Sequence, residues 1–594
     1  MSLFSGLYVG ASGLKTSQNS LNTVAHNLSN INTEGYVRQQ VATTDTYYYT
    51  NSYSQASGQA QVGQGVVYSE CRHIRDTFLD ARYREEAGRE DFYEVSYSAT
   101  LEIEDILGEL DGASFSESLS DLWVAMEELS KAPSDSTYIS LLVQNANSFV
   151  ENARAVYDAL VDYQDNLNEQ IITAVEEINS IGSQISVLNN QIAIIESAGV
   201  ENANDLRDQR DYLIDQLAEY GNITYSEDSI GKVSIRFNET DFVTDDGYYE
   251  MSLKYDQSTG FSTPYWKQLV VKVDDGTGNM VENYDSAYVF SMSEEISNEA
   301  GTDVGKLHSL LVARGDHNAT FLDLDTSIET DLKRDSLHMD DSETFTEEDG
   351  LEYYNTFINN SIMMKAEAEF DNLVHYVVTT INEIIAENAD PKSGYLCNDD
   401  GTPIQIFEKV GQDAYEKVSA ADIVDGDTYV KIYDEDGNET GDVWRFIKES
   451  TDSFTSLYNC DNLQINQDLV QTPTILGFVE EDNSTDFPIG QTLIEAFSNK
   501  EFYINPNATA AVSIPDAYIE IVNQIATEGN VYKSLYEYQQ LAVEQAEANR
   551  SSVVGVSSDE ELEHMIMYQN AYNAASRYIN VLNTLLDSVI NMGA

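Results

Sequence analysis

Basic residues and cysteine are scarce in this sequence. Its 594 residues include 31 Lys and Arg against 103 Asp and Glu, which gives a formal net charge of -72. This charge repels phosphate groups and anionic lipids, so it disfavours nucleic acid and membrane surfaces as partners. We expect the acidic excess to be a solvated exterior, with a high-salt habitat or a bound cation as the alternatives. Cys71, Cys397 and Cys460 lie far apart without a CxxC pattern, so we expect neither a disulfide framework nor a zinc site.

Long apolar runs are also missing. No apolar stretch reaches the roughly 18 to 20 residues of a membrane-spanning helix, and the first residues lack the basic and apolar parts of a cleaved secretion signal. The sequence therefore predicts no membrane insertion, and either an intracellular location or export without a cleaved signal. Apolar residues still make up 42% of the chain, with 38 Tyr and 20 Phe. This length and composition predict a folded protein of about three or four structural units.

Motifs of catalysis are missing as well. The 7 histidines form no HExxH motif and no Cys/His cluster, and no GxSxG or Walker A motif stands out. Asp434, Asp436 and Asn438 offer oxygen ligands, but Glu439 stands where a calcium-binding EF-hand loop needs Gly, and Arg445 where it needs Glu. We therefore expect a hairpin turn at this segment, no enzyme activity, no metal and no cofactor.

What the sequence does have, at both ends, is a seven-residue repeat of apolar residues. The charged side chains of the first forty residues are Lys15, Arg38 and Glu34, so this end is suited to contact. Ser558 and Glu561 fit a capping box at the start of the C-terminal repeat. Each stripe is too narrow for a globular core, so we expect the two helices to pair as a coiled coil and to contact neighbouring chains. The predicted interface comprises Leu7, Leu14, Leu21, Val24, Leu28, Ile31, Met565, Tyr568, Tyr572, Ile579, Leu582, Leu586 and Val589.

Helical periodicity also dominates the interior of the chain. A third heptad repeat runs from residue 167 to 195. Further helical patterns cover residues 115–135, 206–221, 353–388 and about 514–550. Period-two patterns with Asp-Gly or Gly-Asn turns occupy residues 232–237, 269–279 and 428–447. The sequence thus predicts a mainly α fold with inserted β units, in which a long-helix bundle is formed from both halves of the chain and small β-rich domains lie outside.

These patterns divide the chain into five predicted parts. The stretch 317–350 shows neither period and is crowded with Asp, Glu, Ser and Thr, so we expect a surface loop there. The parts are a terminal coiled-coil assembly region (1–36 and 552–594), a helical body (37–224, 353–392 and 512–551), a β-rich segment attached to the body (225–316), an acidic loop insertion (317–352) and an outer β-rich domain (393–511).

A short motif follows the first heptad repeat, "VAHNLSNINTEGYVRQ" at residues 24–39. Asn27, Asn30 and Asn32 are suited to cap the helix and turn the chain, Gly35 permits a positive φ, and Tyr36 anchors the exit. The motif closely resembles the N-terminal signature of the bacterial flagellar axial proteins, which form the rod, the hook and the hook-associated parts of the flagellum.

Other stretches narrow this resemblance to the hook-associated proteins of the hook-filament junction. They are "GQGVVYSECRHIRDTFLDARYREEAG" (63–88), "LSDLWVAMEELSKAPSD" (119–135), "NDLRDQRDYLIDQLAEY" (204–220), "GKLHSLLVARGD" (305–316) and the C-terminal segment 550–590. The resemblance spans nearly the whole chain. Two departures are Ser557 with Ser558, where the family has Asn-Leu, and the insertion at 317–350.

The resemblance implies a structural protein outside the cell, in the flagellum, exported through the flagellar type III apparatus without a cleaved signal. Its implied partners are other copies of itself in a homo-polymer, the hook protein, a second junction protein or flagellin on the distal side, and an export chaperone in the cytoplasm. The terminal helices are expected to order only when neighbours cover them. The alternatives are a hook protein, which lacks the 204–220 motif, and a flagellin-like filament protein, which needs its own Arg- and Ser-rich signature.

Overall fold

The computed structural model is mainly helical. It describes residues 3–50, 61–108, 115–197, 199, 202–274, 279–340, 342–424, 427–434, 438–451, 454–478 and 486–592. The helices in these ranges are α1 Leu3–Ser29, α2 Thr77–Gly108, α3 Phe115–Lys131, α4 Ser136–Glu196, α5 Asn204–Tyr220, α6 Lys306–Arg314, α7 Phe321–Leu324, α8 Asp331–Ser336, α9 Glu347–Tyr353, α10 Ile362–Asn388, α11 Gln467–Gln471, α12 Phe487–Ser498, α13 Ile514–Val554 and α14 Ser558–Met592.

The strands form small antiparallel sheets between the helices. They are β1 Gln39–Asp45, β2 Tyr48–Thr50, β3 Gln61–Gly63, β4 Val66–His73, β5 Ile223–Glu227, β6 Val233–Phe237, β7 Thr240–Thr244, β8 Gly247–Tyr248, β9 Met251–Tyr255, β10 Ser262–Trp266, β11 Val271–Asp274, β12 Met280–Asn283, β13 Phe407–Lys409, β14 Tyr415–Ser419, β15 Tyr429–Tyr433, β16 Glu439–Phe446 and β17 Leu463–Ile465. Their sheets have the orders β1-β4, β2-β3, β5-β6-β7-β8, β10-β9, β11-β12, β13-β17 and β14-β16-β15. The predicted combination of a mainly α fold with inserted β units is confirmed.

The body is built along α4, a single helix of 61 residues. The carboxylate of Asp135 starts it by accepting a hydrogen bond from the backbone N–H of Thr137 at 2.8 Å, which satisfies one of the free donors at a helix N-terminus. The predicted heptad repeat covers only its second half. Buried apolar residues recur every three or four positions along the whole helix, from Ile139 to Ile192. Those up to Ile185 join one core with residues of α3, α5, α10 and α13.

A long antiparallel pair, α2 with α13, joins the two halves of the chain in this body. The hydroxyl of Tyr518 donates to the carbonyl of Leu107 at 2.6 Å near one end of the pair. Near the other end, the guanidinium of Arg550 lies 3.8 Å from the ring centre of Tyr83. Residues 77–108 and 514–554 therefore pack against each other over their full length, and the chain returns to where it began.

We expected a surface loop at 317–350. This prediction is wrong, because the structure places short helices there. These are α7, α8 and the start of α9. Side-chain caps start them, as where Thr346 and Asp349 form a capping box. The ammonium of Lys333, fully buried, donates to the carbonyls of Leu322 at 2.7 Å and Asp325 at 2.6 Å. Polar caps and a buried ammonium hold this segment, so it lacks the apolar period on which the prediction relied.

The segment considered for calcium lies between β15 and β16, which pair antiparallel as a hairpin. The backbone N–H of Asn438 donates to the Asp434 carboxylate at 2.8 Å, whereas Asp436 lies outside the described residues. Within the part of the chain that the structure describes, no group of three or more His, Cys, Asp or Glu side chains is arranged to hold a metal ion. Cys71, Cys397 and Cys460 are free thiols. No described helix is long and apolar enough to cross a membrane.

Candidate assembly interface

The helices at the two ends of the chain, α1 and α14, lie side by side and antiparallel. A Cβ placed on Gly6 would lie 3.1 Å from the Leu582 methyl Cδ1, and one on Gly10 would lie 2.8 Å from Cγ1 of Ile579. A Cβ on Gly13 would lie 3.8 Å from the Cβ of Ala575. As α1 runs forward, its neighbours on α14 run backward. The backbone of α1 thus approaches α14 as closely as residues without side chains allow.

The seam that α1 presents to α14 is made of small residues. Gly6 and Gly10 are buried, as are Ser17 at 9% and Ser20 at 3% exposure. The hydroxyl of Ser17 donates to the Gly13 carbonyl at 2.8 Å, and that of Ser20 to the Thr16 carbonyl at 3.0 Å. The serines therefore fill the seam without leaving an unpaired hydroxyl, because each bonds back to its own helix.

The residues predicted for this interface lie at and beside this seam. On α1, Val24 is buried and Ile31 is exposed. The residues of this helix that are half-buried beside the seam are Leu7, Leu14, Leu21 and Leu28. On α14, Leu582 is buried and Val589 is exposed. The half-buried residues of α14 are Met565, Tyr568, Tyr572, Ile579 and Leu586. Sequence reasoning missed the small-residue seam, although Gly and Ser at positions 6, 10, 13, 17 and 20 already show the alternating spacing of four and three.

The terminal pair remains apolar on its outer faces. Its exposed apolar side chains include Phe4, Tyr8, Ile566, Met567, Val581, Leu585 and Ile590. Residues 3–29 and 564–586 contain no carboxylate, and their charged side chains are Lys15 and Arg577. A helix that is apolar on more than one side is stable in water only when other surfaces cover it. These two stretches carry no negative charge in a chain with a net charge of -72, so the apolar surface is concentrated where like charges would least oppose contact between copies.

The turn motif after α1 is held by the buried side chain of Asn27. Its Oδ1 accepts from the Tyr36 hydroxyl at 2.8 Å and from the Gln39 N–H at 3.1 Å, while its Nδ2 donates to the Gln39 carbonyl at 2.9 Å. The Tyr36 ring meets His26 edge-on at 5.6 Å. Burial is the main reason that the pKa of Tyr36 lies well above its usual value. Asn27 was predicted as a cap, but it joins the end of α1 to the first residue of β1.

The other residues of the motif differ in their roles. The backbone N–H of Asn30 donates to the His26 carbonyl at 3.2 Å, closing the last turn of the helix. Asn32 is exposed. Gly35 has φ +72, and a Cβ there would lie 2.8 Å from the Cβ of Tyr212 on α5. Glycine is required at position 35 for two reasons. A side chain would strain the backbone, and it would also collide with α5.

The N-terminal half of α5 binds this turn through its carboxylates. Asp208 accepts from the backbone N–H of Val37 at 3.2 Å, and Asp205 accepts from the Gln39 amide at 2.9 Å. Burial raises the pKa of Asp208 to about 8, which the Val37 hydrogen bond and a nearby arginine only partly offset. The motif at 204–220 therefore positions the chain where it leaves α1. Its signal in the sequence was the spacing of Asp205, Asp208 and Asp215 along one side of a helix.

The start of α14 is tied to the same turn. Arg38 lies 2.9 Å from a carboxylate oxygen of Glu560 and 3.2 Å from one of Glu561. Glu561 was predicted to close a capping box with Ser558, but it is the hydroxyl of Ser557 that accepts from an N–H of the first turn, that of Glu560, at 3.5 Å. The prediction placed the cap one residue too late, since a Ser-Ser pair offers two candidates and the helix begins at the second of them.

A second cluster of buried charges lies directly behind this turn, within the body. Arg84 of α2 pairs with Asp215 of α5 at 2.6 Å, and Arg550 of α13 pairs with the same carboxylate at 2.7 Å. Arg75 pairs with Asp80 at 2.6 Å. Three helices are thus joined by ion pairs that are almost excluded from water. These pairs fix α5 on the body, and α5 in turn fixes the exit of the terminal pair.

Comparison with known proteins agrees with this architecture. Residues 100–317 match the model of the flagellar hook-associated protein FlgK helical domain. Residues 7–36 match that of the flagella basal body rod protein, and residues 549–592 that of the flagellar basal body rod FlgEFG protein C-terminal region. A solved structure of the flagellar hook junction protein FlgK from Burkholderia pseudomallei has the same fold, with TM-score 0.51 at 11% identity, over 80% of this chain and 100% of that one.

Two curated relatives align with the chain from end to end. Flagellar hook-associated protein 1 of Bacillus subtilis is 26% identical over 99% of this chain and 98% of its own length. The protein of the same name from Salmonella typhimurium is 23% identical over 98% of each. Rod-type sequences at both ends of a long-helix body define a flagellar axial protein. Within that class, the chain is similar over its whole length to flagellar hook-associated protein 1, and the helical-domain match of residues 100–317 agrees with this.

Proposed function

We propose that this chain is a structural component of the flagellar hook-filament junction and that it polymerises through its terminal helices. In this proposal α1 and α14 pair as a coiled coil within each subunit, and their outer faces contact neighbouring subunits. The parts predicted from the sequence keep their roles, with residues 1–36 and 552–594 as the assembly region. The helical body is residues 37–224, 353–392 and 512–551. Residues 225–316 and 393–511 are β-rich outer parts, and 317–352 is an acidic insertion.

The observation that carries the proposal is the chemistry of the terminal pair. Both helices leave apolar side chains exposed, such as Phe4 at 72% and Ile566 at 61%, while neither contains a carboxylate in residues 3–29 or 564–586. Burying apolar surface stabilises a contact by about 25 cal/mol per Å². Neighbouring subunits that cover these faces therefore stabilise the assembly without removing charges from water. The rest of the chain is strongly acidic, so contacts between copies elsewhere would bring like charges together.

The small-residue seam explains why assembly and ordering are coupled. Gly6, Gly10 and Gly13 bring the helices close but contribute almost no apolar area of their own. Ordering a glycine costs more backbone entropy than ordering any other residue. The α1–α14 pair within one subunit is therefore only marginally stable. Contact with neighbouring subunits through the leucines beside the seam supplies the missing stabilisation.

The names of the relatives support the location of this polymer. The Bacillus subtilis relative is named a hook-associated protein, and the protein of known structure is named a hook junction protein. By analogy, hook protein lies on one side of this chain, and a second junction protein or flagellin lies on the other. The subunit leaves the cell through the flagellar export apparatus, with a chaperone in the cytoplasm and without a cleaved signal, and it functions outside the cell.

The test is a complementation experiment in a strain that lacks this chain. Such cells should build hooks, release flagellin into the medium and fail to swim, and the wild-type chain should restore swimming. The double variant Leu582→Asp with Leu586→Asp should not restore it. It places two carboxylates in an apolar interface without cations, at several kcal/mol per charge. The body is distant from the change, so secretion and the melting temperature of the purified subunit should stay close to wild type.

A matched control separates burial from charge. Asn523→Asp with Asn530→Asp adds the same two charges at exposed positions of α13 in the body, outside the proposed interface, so it should restore swimming. Normal filaments in cells that lack the chain would refute the junction role. A Leu582 and Leu586 variant that assembles normally would refute the packing of α14, and one that unfolds the body would show that the terminal helices belong to the body.

A further inference from the structure

The outer β-rich part carries an open cleft of about 560 Å³. Its walls are the loop from Asn398 to Gln405, the turn from Glu408 to Ala414, and β14 and β16 of the three-stranded sheet. Cavities of roughly 300 to 1,000 Å³ are the usual size for small-molecule sites. The cleft shares no residue with the terminal pair or with the ion pairs behind it, so the assembly function does not account for it.

Two aromatic side chains line the cleft. The indole Nε1 of Trp444 donates to the carbonyl of Asp400 at 3.1 Å, which fixes the ring against the loop while leaving the residue half-exposed. Tyr415 is buried and packs edge-on against Phe446 at 5.5 Å. A fixed indole that still faces solvent offers a flat, apolar surface to a ligand. It gives that surface at little cost in side-chain entropy, because its orientation is already set.

Two polar atoms of the lining residues have no hydrogen-bond partner among the described residues. They are Nζ of Lys409 and Oε1 of Gln412. Lys409 is only 2% exposed, and its ammonium lies 4.9 Å from the ring centre of Tyr458. A buried polar atom without a partner costs about 1 to 3 kcal/mol. Since both residues line the cleft, a ligand hydroxyl that enters it can supply the missing partner.

The remaining groups define the ligand by its charge and its hydrogen bonds. Asp400, Glu408 and Asp413 line the same cleft and would repel an anion. Asn398 and Gln464 add amides, which both donate and accept hydrogen bonds. A bound amine would leave the Lys409 ammonium without an acceptor and add a like charge. A hydroxyl both donates and accepts, and the C–H face of a sugar ring suits the indole.

From these features we propose that the cleft binds a neutral saccharide, with Trp444 beneath the ring and Gln412 and Lys409 bonded to its hydroxyls. The site would give the outer surface of the chain a second activity, independent of polymerisation. Because the cleft residues are separate from the terminal helices, loss of saccharide binding should leave swimming unchanged, and the Leu582 and Leu586 variant should still bind the saccharide.

The test is a titration of the full chain with defined neutral oligosaccharides, namely chitotetraose, cellotetraose, maltotetraose and mannotetraose. Tryptophan fluorescence is the first readout, since Trp266 is 1% exposed and Trp123 packs against Phe497, which leaves Trp444 to respond. Calorimetry is the second readout. At least one oligosaccharide should bind saturably, and Trp444→Ala should weaken it by about tenfold or more, the effect of losing about 1.4 kcal/mol.

The controls test the charge argument and the fold. Trp123→Phe should bind as wild type does, and Gln412→Ala should weaken binding about threefold to tenfold even if Trp444→Ala proves unstable. A hyaluronan tetrasaccharide and spermidine serve as the anionic and cationic probes. The proposal is overturned if no neutral oligosaccharide binds at roughly 10 mM. It is also overturned if only a charged probe binds, or if both variants bind as wild type does.

Discussion

Two antiparallel helix pairs bring the ends of this chain together, and they are held by different forces. In the body, α2 and α13 are joined by buried side chains that include Arg84, Asp215 and Arg550. In the terminal pair, α1 meets α14 through glycine and serine, with Gly10 against Ile579. The body pair is rich in charge, whereas residues 3–29 and 564–586 of the terminal pair carry only Lys15 and Arg577 as charged side chains.

The difference separates folding from assembly. A buried ion pair is stable only when both partners stay in place, so the body must be complete within one subunit. An apolar surface without charge needs only to be covered, and a neighbouring copy covers it as well as the same chain does. Under the proposed function we therefore expect the body to fold alone and the terminal pair to reach its full stability between subunits. Each prediction below affects one pair and should leave the other unchanged.

The largest effect is expected from Asp215→Ala. This change leaves the guanidiniums of Arg84 and Arg550 without the carboxylate they share at 2.6 and 2.7 Å. Breaking a buried ion pair by removing one partner costs about 3 to 5 kcal/mol, so the free energy of unfolding of the body should fall by that amount in urea titrations.

The matched control is Asp121→Ala, which removes an exposed acid from α3. It should change the free energy of unfolding by less than about 0.5 kcal/mol. If the two variants unfold alike, the buried ion pairs do not hold the body. If Asp215→Ala leaves the body folded and only blocks assembly, then the ion pairs of the body serve assembly and not folding, which contradicts the contrast drawn above.

A smaller effect, confined to the terminal pair, is expected from Gly10→Val. Even a Cβ at this position would lie 2.8 Å from Cγ1 of Ile579, so a valine must push the helices apart. Overpacking of this kind costs about 1 to 3 kcal/mol. When tagged wild-type and variant chains are expressed together, the variant should be depleted from junctions by about tenfold or more, while urea unfolding of the body is unchanged. Equal incorporation of the variant and the wild type would show that α1 and α14 do not approach each other this closely in assembled junctions.

The heptad rows predict one helix of the terminal pair better than the other. On α14 the rows select the side that lies against α1, because apolar side chains that meet a single partner helix recur every 3.5 residues on average. On α1 the same reasoning selects Leu7, Leu14 and Leu21, which lie beside the contact. Hydrophobic patterning gives no weight to glycine, yet the closest approach of two helices requires a missing side chain. Reading Gly and Ser at the same spacing would have found the seam.

Polar contacts between distant segments were beyond the sequence. The local sequence pattern does not predict that Asn27 binds Gln39, that Arg38 pairs with Glu561, or that Lys333 donates to backbone carbonyls. Each of these contacts depends on how distant parts of the chain fold back on one another. The helices themselves were predictable, since apolar period and caps are local signals. Their bounds extended further than predicted where tertiary packing continued the helix, as in the first half of α4.

The pH dependence of stability is expected in the body. On α2, burial together with Glu219, Glu94 and Glu90 raises the pKa of Asp91 to about 8. In the unfolded chain this carboxyl titrates near pKa 3.9. Between about pH 4 and 8 the unfolded chain therefore releases the proton first, so stability falls as pH rises. Asp91→Asn should raise the free energy of unfolding by about 1 to 2 kcal/mol near pH 7.5 and by almost nothing near pH 4.

Urea titrations at both pH values check this, with Asp105→Asn, an exposed acid of the same helix, as the control that should show no pH-dependent gain. Because residues 3–29 and 564–586 contain no carboxylate, incorporation of Asp91→Asn into junctions should match wild type. A variant that is less stable at both pH values would mean that Asp91 is ionised and paired in the folded body.

The smallest effect, and the sharpest test of the seam, is expected from Gly13→Ala. A Cβ here would lie 3.8 Å from the Cβ of Ala575, an ordinary contact, so the same residue type that cannot be enlarged at Gly10 can be enlarged one turn later. Alanine in a helix interior is favoured over glycine by about 0.5 to 1 kcal/mol, mainly because the unfolded chain loses less entropy on ordering. If the terminal helices order as they assemble, as the proposed function requires, this gain should appear in incorporation. In the competition assay, Gly13→Ala should therefore equal wild type or exceed it by up to about fivefold, with the body's unfolding unchanged. Depletion as strong as that of Gly10→Val would mean that α1 meets its partner in assembled junctions along a different register.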